Sequence, residues 1–250
     1  MSSIRKNPAS PTKGISAAPR RRLLPLERER LIVDGAVRFF SEHGLAGQLR
    51  DLARELDITH TLLYHYFPTK QALIERVYSE LFEGRWRADW EELLDDKSLD
   101  IETRFTRFYV DYAAVILQRD WIRIFILSGL SERYITDRYF SLLHDKLFPR
   151  LVRESRKYRG VANRGKPTAR ELELLMGLHG GIFYMGMRRW VYGQVGTEAS
   201  ADALDATWIR DRVRSYLLSL GQVLAEPLAD AAPRRVPMKP TEASRPWPMH

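Results

Sequence analysis

The sequence predicts an all-α protein, and three observations support that prediction. Between Leu26 and Glu226 only three prolines interrupt about 200 residues, whereas proline breaks the hydrogen bonding of a helix interior. Apolar residues recur there at helical spacing. No long alternating run of Val, Ile and Thr indicates a sheet. We therefore expect an N-terminal three-helix domain followed by a C-terminal helical bundle.

The first predicted helix runs from Pro25 to His43. One apolar stripe at positions i, i+3, i+4 and i+7 gives it a buried face: Val33, Ala36, Val37 and Phe40. Gly44 is expected to end this helix, because glycine commonly follows the last helical residue.

Two short helices are expected next. The first lies at Leu49–Leu56 and is followed by a tight connection at Asp57 and Ile58. The second begins at Thr59 and continues to the break at Pro68.

The remaining predicted helices are longer, and they lie at Gln71–Trp90, Leu99–Gln118, Trp121–Ser128, Ser131–Lys157, Thr168–Tyr192 and Ala201–Ala225. Thr69 is suited to cap the first of them. Thr168 and Glu171 have the spacing of a capping box. Residues Tyr158–Pro167 are the expected internal loop.

The composition is that of an ordinary soluble globular protein, with 44% hydrophobic and 29% charged residues. The absence of cysteine excludes disulfides, thiolate metal sites and cysteine nucleophiles. No apolar run reaches the roughly 18 residues of a membrane span. No apolar segment follows the basic N-terminus, as it would in a secretory signal. We therefore expect a cytoplasmic location.

The sequence carries no motif of an enzyme. Its six histidines form no HExxH pair or other metal-ligand spacing, so neither a metal nor a cofactor is expected. There is no P-loop, no GxGxxG motif opening a βαβ unit and no GxSxG elbow. We expect no catalytic residues.

Positive charge is concentrated at the N-terminus. Residues 1–30 contain eight Lys and Arg against two Glu, whereas residues 31–83 contain five Lys and Arg against eight Asp and Glu. A basic arm of this kind either meets a polyanion or only increases solubility, and charge alone does not separate the two.

The segment from Leu49 to Lys70 has the pattern of a helix-turn-helix. Two steeply crossing helices need a small residue where they approach, and Ala53 has that position. Four residues later the turn needs a residue that tolerates left-handed geometry, which Asp57 does. Ile58 and Leu63 are expected to fill the angle between the helices, which leaves an outward face for a DNA major groove.

This segment resembles the DNA-binding domain of the TetR family. The family pattern is a first helix that ends in Gly and a helix-turn-helix that ends Leu-Tyr-x-Tyr/His-Phe-x-x-Lys. The second part reads here Leu63-Tyr64-His65-Tyr66-Phe67-Pro68-Thr69-Lys70, and the resemblance covers residues 28–75.

The chain departs from the family pattern at two places. Gly47 and Gln48 stand where the family has Thr or Ser residues that cap the second helix and touch phosphate. Gln48 replaces that contact, or the contact is lacking. Leu62 stands where the recognition helix has Thr or Ser, so it contacts a thymine methyl group or turns inward.

The resemblance implies roles for the residues of the recognition helix. Thr59 is expected to cap the helix and meet a phosphate. His60 and Thr61 are best placed for base edges. Tyr64 and His65 correspond to family positions that reach phosphate or a neighbouring base.

Basic residues are expected to hold the DNA backbone, which fixes register. Lys70 resembles a phosphate clamp of the family. Arg50 and Arg54 contact phosphate or pair with neighbouring acids. Because residues 31–83 are net acidic, a basic arm is expected to contribute by reaching into a minor groove: Arg20, Arg21 and Arg22.

The last two helices are the expected dimer surface, since a single helix-turn-helix typically binds a pseudo-palindrome as a two-fold dimer. Glycines weaken the first of these helices: Gly177, Gly180, Gly181 and Gly186. Close helix approach explains them, either within the subunit or across the dimer. The last helix has an apolar face that fits a four-helix interface: Trp208, Val213, Leu217, Leu220 and Leu224.

Aromatic residues of the C-terminal region belong to the core or to a ligand pocket. The resemblance implies a cavity for a small, often apolar effector, and six residues are assigned to it: Phe108, Tyr112, Trp121, Phe125, His179 and Phe183. Its polar groups would be His179, Tyr112 and Arg188. The effector would tilt the helix Gln71–Trp90 and change the separation of the two recognition helices.

These observations predict four regions: 1–24, a disordered basic arm; 25–75, the helix-turn-helix DNA-binding domain; 76–225, the effector-binding and dimerisation domain; and 226–250, a disordered Pro-rich tail. The expected function is ligand-responsive repression by a homodimer on double-stranded operator DNA. No membrane partner is expected. The alternative is a DNA-binding or helical dimeric interaction protein without an effector.

Overall fold

The computed structural model describes residues 24–162, 164–194 and 201–225, except for the side chains of 201–205. All regular structure in these ranges is helical. The expected arm with Arg20, Arg21 and Arg22, and the expected tail at 226–250, lie outside the described residues. No helix of the described part is long and apolar enough to cross a membrane.

Four helices form the N-terminal part, and they are α1 (Pro25–His43), α2 (Leu49–Glu55), α3 (His60–Tyr66) and α4 (Lys70–Tyr78). The predicted bounds of α1 are confirmed. Gly44 follows it with φ 71°, and its amide donates to the carbonyl of Phe40 at 3.0 Å. This closes the helix and turns the chain towards α2.

The prediction of one helix over Gln71–Trp90 is wrong. Helix α4 continues as a π-helical turn at Ser79–Glu83, and α5 begins only at Asp89 and ends at Asp95. The amide of Gly84 donates to the carbonyl of Ser79 at 2.7 Å, which closes the wider turn. The turn lets the rings of Tyr78 and Phe82 stack with centroids 5.1 Å apart.

Six helices form the C-terminal part, and they are α6 (Ile101–Ile116), α7 (Arg119–Gly129), α8 (Tyr134–Leu142), α9 (Phe148–Tyr158), α10 (Ala169–Trp190) and α11 (Ala201–Ala225). The predicted helix Ser131–Lys157 corresponds to α8 and α9, joined by a π-helical turn at Leu143–Leu147. Helix α8 begins only after Arg133, which has a left-handed φ of 57°. Helix α6 packs against α11, and α1 packs against α7.

The loop between α9 and α10 is held by Arg156. Its guanidinium donates to the carbonyls of Arg164, Gly165 and Lys166 at 3.0–3.2 Å. It also donates to both carboxylate oxygens of Glu171 at 2.6 and 2.7 Å. Glu171 in turn completes the predicted capping box with Thr168, which is confirmed. A loop without regular structure is thereby fixed to the start of α10.

Candidate nucleic-acid interface and ligand-binding core

The turn between α2 and α3 has the geometry that the sequence predicts. Asp57 has φ 50°, and the amide of Ile58 donates to the carbonyl of Ala53 at 3.0 Å. Ala53 and Leu63 are buried where the two helices meet. A short side chain at Ala53 therefore permits the close approach, and the angle between the helices is fixed by buried contacts.

Two glycines set how α2 rests on α1, and the sequence argument missed both roles. A Cβ atom on Gly35 would lie 2.3 Å from Leu56, and one on Gly47 would lie 2.5 Å from the ring of Phe39. Gly47 therefore departs from the family pattern for a packing reason. Gln48 is the N-cap residue of α2, and its side chain makes no capping hydrogen bond.

The recognition helix α3 is capped by Thr59, as predicted. Its hydroxyl oxygen accepts from the amide of Leu62 at 3.1 Å. Thr69 caps α4 in the same way by accepting from the amide of Ala72 at 3.0 Å. Both caps fix the helix starts nearest to the proposed DNA face.

Helix α3 presents its polar residues on one side. His60, Thr61, Tyr64 and His65 are exposed and have the i, i+1, i+4, i+5 spacing of one helix face. The ring of His60 packs against that of Tyr64 with centroids 4.6 Å apart. Leu62, by contrast, is half-buried.

The basic groups around this face differ in their partners. Arg54 forms an ion pair with Asp51, so the alternative of a neighbouring acid is realised in the unbound protein. Arg50 is exposed, and none of the described residues forms an ion pair with it. Lys70 is half-buried at the first position of α4.

The end of α1 is clamped to α7, a contact that the sequence argument did not foresee. The Nε of Arg123 donates to the carbonyl of Ser41 at 2.7 Å. Glu42 pairs with Arg119 at 2.5 Å and with Arg123 at 3.6 Å. The hydrogen bond from Arg119 lowers the pKa of Glu42. The helix that supports the recognition helix is thus tied to the C-terminal bundle.

A second tie joins α4 to α8. Arg138 pairs with Glu83 at 2.6 Å, and its guanidinium lies 4.4 Å from the centre of the Tyr78 ring. Arg76 of α4 also pairs with Glu29 of α1 at 3.4 Å.

The residues assigned to the effector pocket lie together in the C-terminal core. With two further tyrosines they form two groups of touching rings, joined by the contact between the hydroxyls of Tyr112 and Tyr139 and here together called the aromatic cluster: Phe108, Tyr109, Tyr112 and His179 in one group, and Trp121, Phe125, Tyr139 and Phe183 in the other. Tyr139 was missed because nothing local in the sequence shows that α6 and α8 meet. Arg188, expected as a polar group of this pocket, lies instead about 6 Å from the rings of Tyr184 and Trp208.

Several polar atoms of the aromatic cluster are buried without a hydrogen-bond partner among the described residues. They are the hydroxyl of Tyr109, Nε1 of Trp121 and Nδ1 of His179. The other ring nitrogen of His179 lies 3.4 Å from the hydroxyl of Tyr112, which also contacts the hydroxyl of Tyr139. Burial lowers the pKa of His179 to about 4, so the ring is neutral at neutral pH.

The glycines of α10 have two different environments. A Cβ on Gly186 would lie 3.0 Å from Ile122, so this glycine serves packing within the subunit. Gly177 and Gly180, with Gly221 of α11, have nothing within 4 Å of such an atom.

The prediction that the apolar residues of α11 form a dimer surface is wrong for most of them. Val213, Leu217 and Leu220 are buried within the subunit because α11 packs against α6. Among the described side chains of α10 and α11, the large apolar ones that are exposed are Tyr184, Trp208 and Leu218.

The comparisons with known proteins agree with this architecture. Residues 32–77 match the family model described as bacterial regulatory proteins, tetR family. The chain is 26% identical over 123 residues to the HTH-type transcriptional regulator LuxR of Vibrio harveyi. That match covers 48% of this chain and 58% of LuxR.

One of the similar solved structures supports the fold. A protein from Mesorhizobium loti, assigned to the TetR family of transcriptional regulators, superposes with a TM-score of 0.51 at 14% identity, over 77% of this chain and 96% of that one. GusR of Salmonella enterica gives a TM-score of 0.47 at 18% identity, over 78% and 97% of the two chains. The matched helix-turn-helix and its residue pattern carry the likeness: residues 32–77 are similar to the DNA-binding segment of the tetR family of bacterial regulatory proteins.

Proposed function

We propose that the protein represses transcription by binding a pseudo-palindromic operator as a homodimer, and that a small effector in the C-terminal domain releases it. The observation that carries the DNA-binding part is the face of α3. It presents His60, Thr61, Tyr64 and His65 to solvent on a helix that Thr59 caps and a left-handed Asp57 positions. Helices of this kind read base edges in the major groove.

The test is a titration against the intergenic DNA that flanks the gene, at about 0.15 M salt with excess random competitor. Replacing His60 and Thr61 by Ala should cost about 1–3 kcal/mol each on the operator and little on random DNA. Lys70→Ala should weaken both and reduce the salt slope by about 1. Gln71→Ala, an exposed neighbour on α4, is the matched control. Equal losses on operator and random DNA would contradict base readout by α3.

We further propose that residues 1–24 form a basic arm whose Arg20, Arg21 and Arg22 add contacts to a minor groove. The net negative charge of residues 31–83 supports this, since it disfavours binding of the core domain to DNA. A chain without residues 1–24, in the same titration, should bind several-fold more weakly. Unchanged affinity would leave the arm with no part in binding.

Homodimerisation through α10 and α11 is supported by the exposed side of these helices. The two helices carry glycines with open space around them and large exposed side chains: Gly177, Gly180 and Gly221, and Tyr184, Trp208 and Leu218. Small residues permit close helix packing, and exposed apolar groups gain most when a second copy covers them. A DNA-bound regulator of this kind works in the cytoplasm.

The effector would bind in the aromatic cluster, within a domain that spans residues 76–225. Its buried polar atoms without partners support this role, because buried polar groups are normally hydrogen-bonded. A second candidate function is a dimeric DNA-binding protein without an effector. The direct ring-to-ring contacts of the cluster favour it, since the rings pack on one another as in a closed core.

A further inference from the structure

The aromatic cluster holds more hydrogen-bond donors than it satisfies. Nε2 of His179, the hydroxyl of Tyr112 and the hydroxyl of Tyr139 form a chain of three groups. If Nε2 accepts, the Nδ1–H of His179 has no acceptor. If Nε2 donates, the hydroxyl hydrogen of Tyr139 is the one left over. Either arrangement leaves one donor available at an end of the chain.

Trp121 adds a second available donor to the same cluster. Its indole N–H is a donor only, and it is buried without a partner among the described residues. The centroid of its ring lies 5.0 Å from that of Tyr139, so the donor belongs to the cluster that also contains the three-group chain. A buried donor without an acceptor destabilises the folded state. A ligand with hydrogen-bond acceptors would form the missing hydrogen bonds and remove this destabilisation.

The cluster is also free of formal charge. Its members are Phe, Tyr and Trp residues and His179. Burial lowers the pKa of His179, so its ring is neutral at neutral pH. An ionised ligand would therefore lose its hydration without gaining an opposite charge, which is costly in an apolar surrounding. These properties together select an uncharged ligand.

A cleft between α7 and α8 meets the cluster at Phe125. The cleft is lined by Phe125, Thr136 and Phe140 and by the paired side chains of Arg133 and Asp137. Its volume of about 340 Å³ is within the usual size of small-molecule sites. Phe125 is a wall of the cleft and also a member of the cluster. Its ring stacks on Trp121 with centroids 5.1 Å apart and planes 10° from parallel. A flat ligand that displaces the Phe125 ring would find the same stacking surface on Trp121.

We propose that the aromatic cluster, entered through the α7–α8 cleft, binds an uncharged aromatic compound that carries hydrogen-bond acceptors, such as an aryl ketone. The inference rests on the proposed ligand-responsive function, and it adds the chemical class of the effector and its route. Stacking on Trp121 supplies the aromatic preference, and the available donors of Trp121 and of the His179 chain supply the preference for acceptors.

The test compares three probes that share one ring system: 2-acetylnaphthalene, 2-naphthoate and 2-ethylnaphthalene. Isothermal titration of each into the full-length protein measures affinity directly. The ketone should bind at least about tenfold more tightly than either the charged carboxylate or the hydrocarbon. Equal binding of the hydrocarbon, tighter binding of the carboxylate, or no binding of the ketone would overturn the inference.

Two variants locate the site. Trp121→Phe removes the indole donor and should lower the affinity for the ketone by about tenfold, while the affinity for 2-ethylnaphthalene changes little. Tyr109→Phe removes another buried hydroxyl of the cluster that has no partner among the described residues, and it provides the same test should Trp121→Phe not fold. Trp86→Phe, at a half-buried tryptophan outside the cluster, is the matched control. Unchanged preference for the ketone in both cluster variants would place binding elsewhere and contradict the proposal.

Operator binding in the presence of each probe separates this inference from the proposed function. If the ketone binds with the expected preference but the affinity for DNA is unchanged, the chemical class holds and ligand-responsive regulation fails. If 2-naphthoate or 2-ethylnaphthalene releases DNA and the ketone does not, the regulation holds and the chemical class fails.

Discussion

A side chain at position 47 would collide with the ring of Phe39, which is itself buried in the core. We expect Gly47→Ala to lower the free energy of unfolding by about 1–3 kcal/mol, because the ring cannot shift without disturbing its neighbours. Chemical denaturation measures the loss. Phe39→Leu in the same chain should recover part of it, so that the double variant is less destabilised than the sum of the two single ones. Ala46→Ser, at the exposed neighbour, is the control.

Glu171 makes folding sensitive to acid. Two hydrogen bonds from Arg156 lower its pKa from 4.5 to about 2. The ionised Glu171 carboxylate therefore stabilises the fold fully above pH 4.5. This stabilisation is lost as the pH falls towards 2, where Glu171 is protonated in the folded protein as well. A difference of this size corresponds to roughly 3 kcal/mol.

Glu171→Gln should remove most of that contribution at pH 7 and flatten the fall in stability between about pH 4.5 and 2. Urea denaturation across this pH range measures both effects. Glu173→Gln, on the exposed side of the same helix, should behave like the wild type. An identical pH profile for both variants would show that the pair with Arg156 does not carry the acid sensitivity.

At the scale of elements, the clamp between α1 and α7 is the contact most suited to pass a change in the core to the DNA-binding face. Helix α7 carries Trp121 and Phe125 of the aromatic cluster, and it carries Arg123, which holds the carbonyl of Ser41. The segment Gln71–Trp90, which was expected to tilt as one helix, is divided into α4, a π-helical turn and the start of α5.

Arg123→Leu should destabilise the protein by about 1–3 kcal/mol, because the buried Ser41 carbonyl loses a charged donor. It should also weaken operator binding several-fold, since α1 supports α2 and α3. Arg119→Leu removes only ion pairs near the surface, with Glu42 and Asp120, and should cost at most about 1 kcal/mol. Denaturation and operator titration of both variants give the comparison. Equal effects at the two arginines would argue against the clamp.

An element could be predicted from the sequence where the residues that determine it lie close together in the chain. The bounds of α1, the cap at Thr59 and the left-handed Asp57 follow from residues within one or two turns of each other, and all three were predicted. Other features depend on partners that are farther away in the chain. These are the π-helical turns, the packing of α2 against α1 at Gly35 and Gly47, and the burial of one face of α11. Hydrophobic spacing alone does not distinguish a core face from an interface face, which explains the error at Val213 and Leu217.

At the scale of the whole molecule, the proposed dimer interface is the exposed side of α10 and α11, and a substitution there tests it. Gly180→Leu places a bulky side chain where the single subunit has open space. The subunit itself should therefore fold normally, while a dimer packed through this face should dissociate. Operator affinity should fall sharply, because a two-fold site needs both recognition helices.

Sedimentation and circular dichroism of Gly180→Leu test this together with operator titration. Lys146→Leu, an exposed change on the π-helical turn between α8 and α9, is the control for added surface hydrophobicity. A variant that stays dimeric would contradict an interface at Gly180.

The available donors of the aromatic cluster also constrain how the protein changes under selection. A buried donor without an acceptor costs about 1–3 kcal/mol. Phe in place of Tyr109, whose buried hydroxyl has no partner among the described residues, is therefore expected to raise the melting temperature of the ligand-free protein. Lineages selected for heat resistance alone would lose the very groups that recognise an acceptor-bearing ligand. Heat-adapted relatives with Phe or Leu at this position should then be regulators that no longer respond to such compounds, although they still bind DNA.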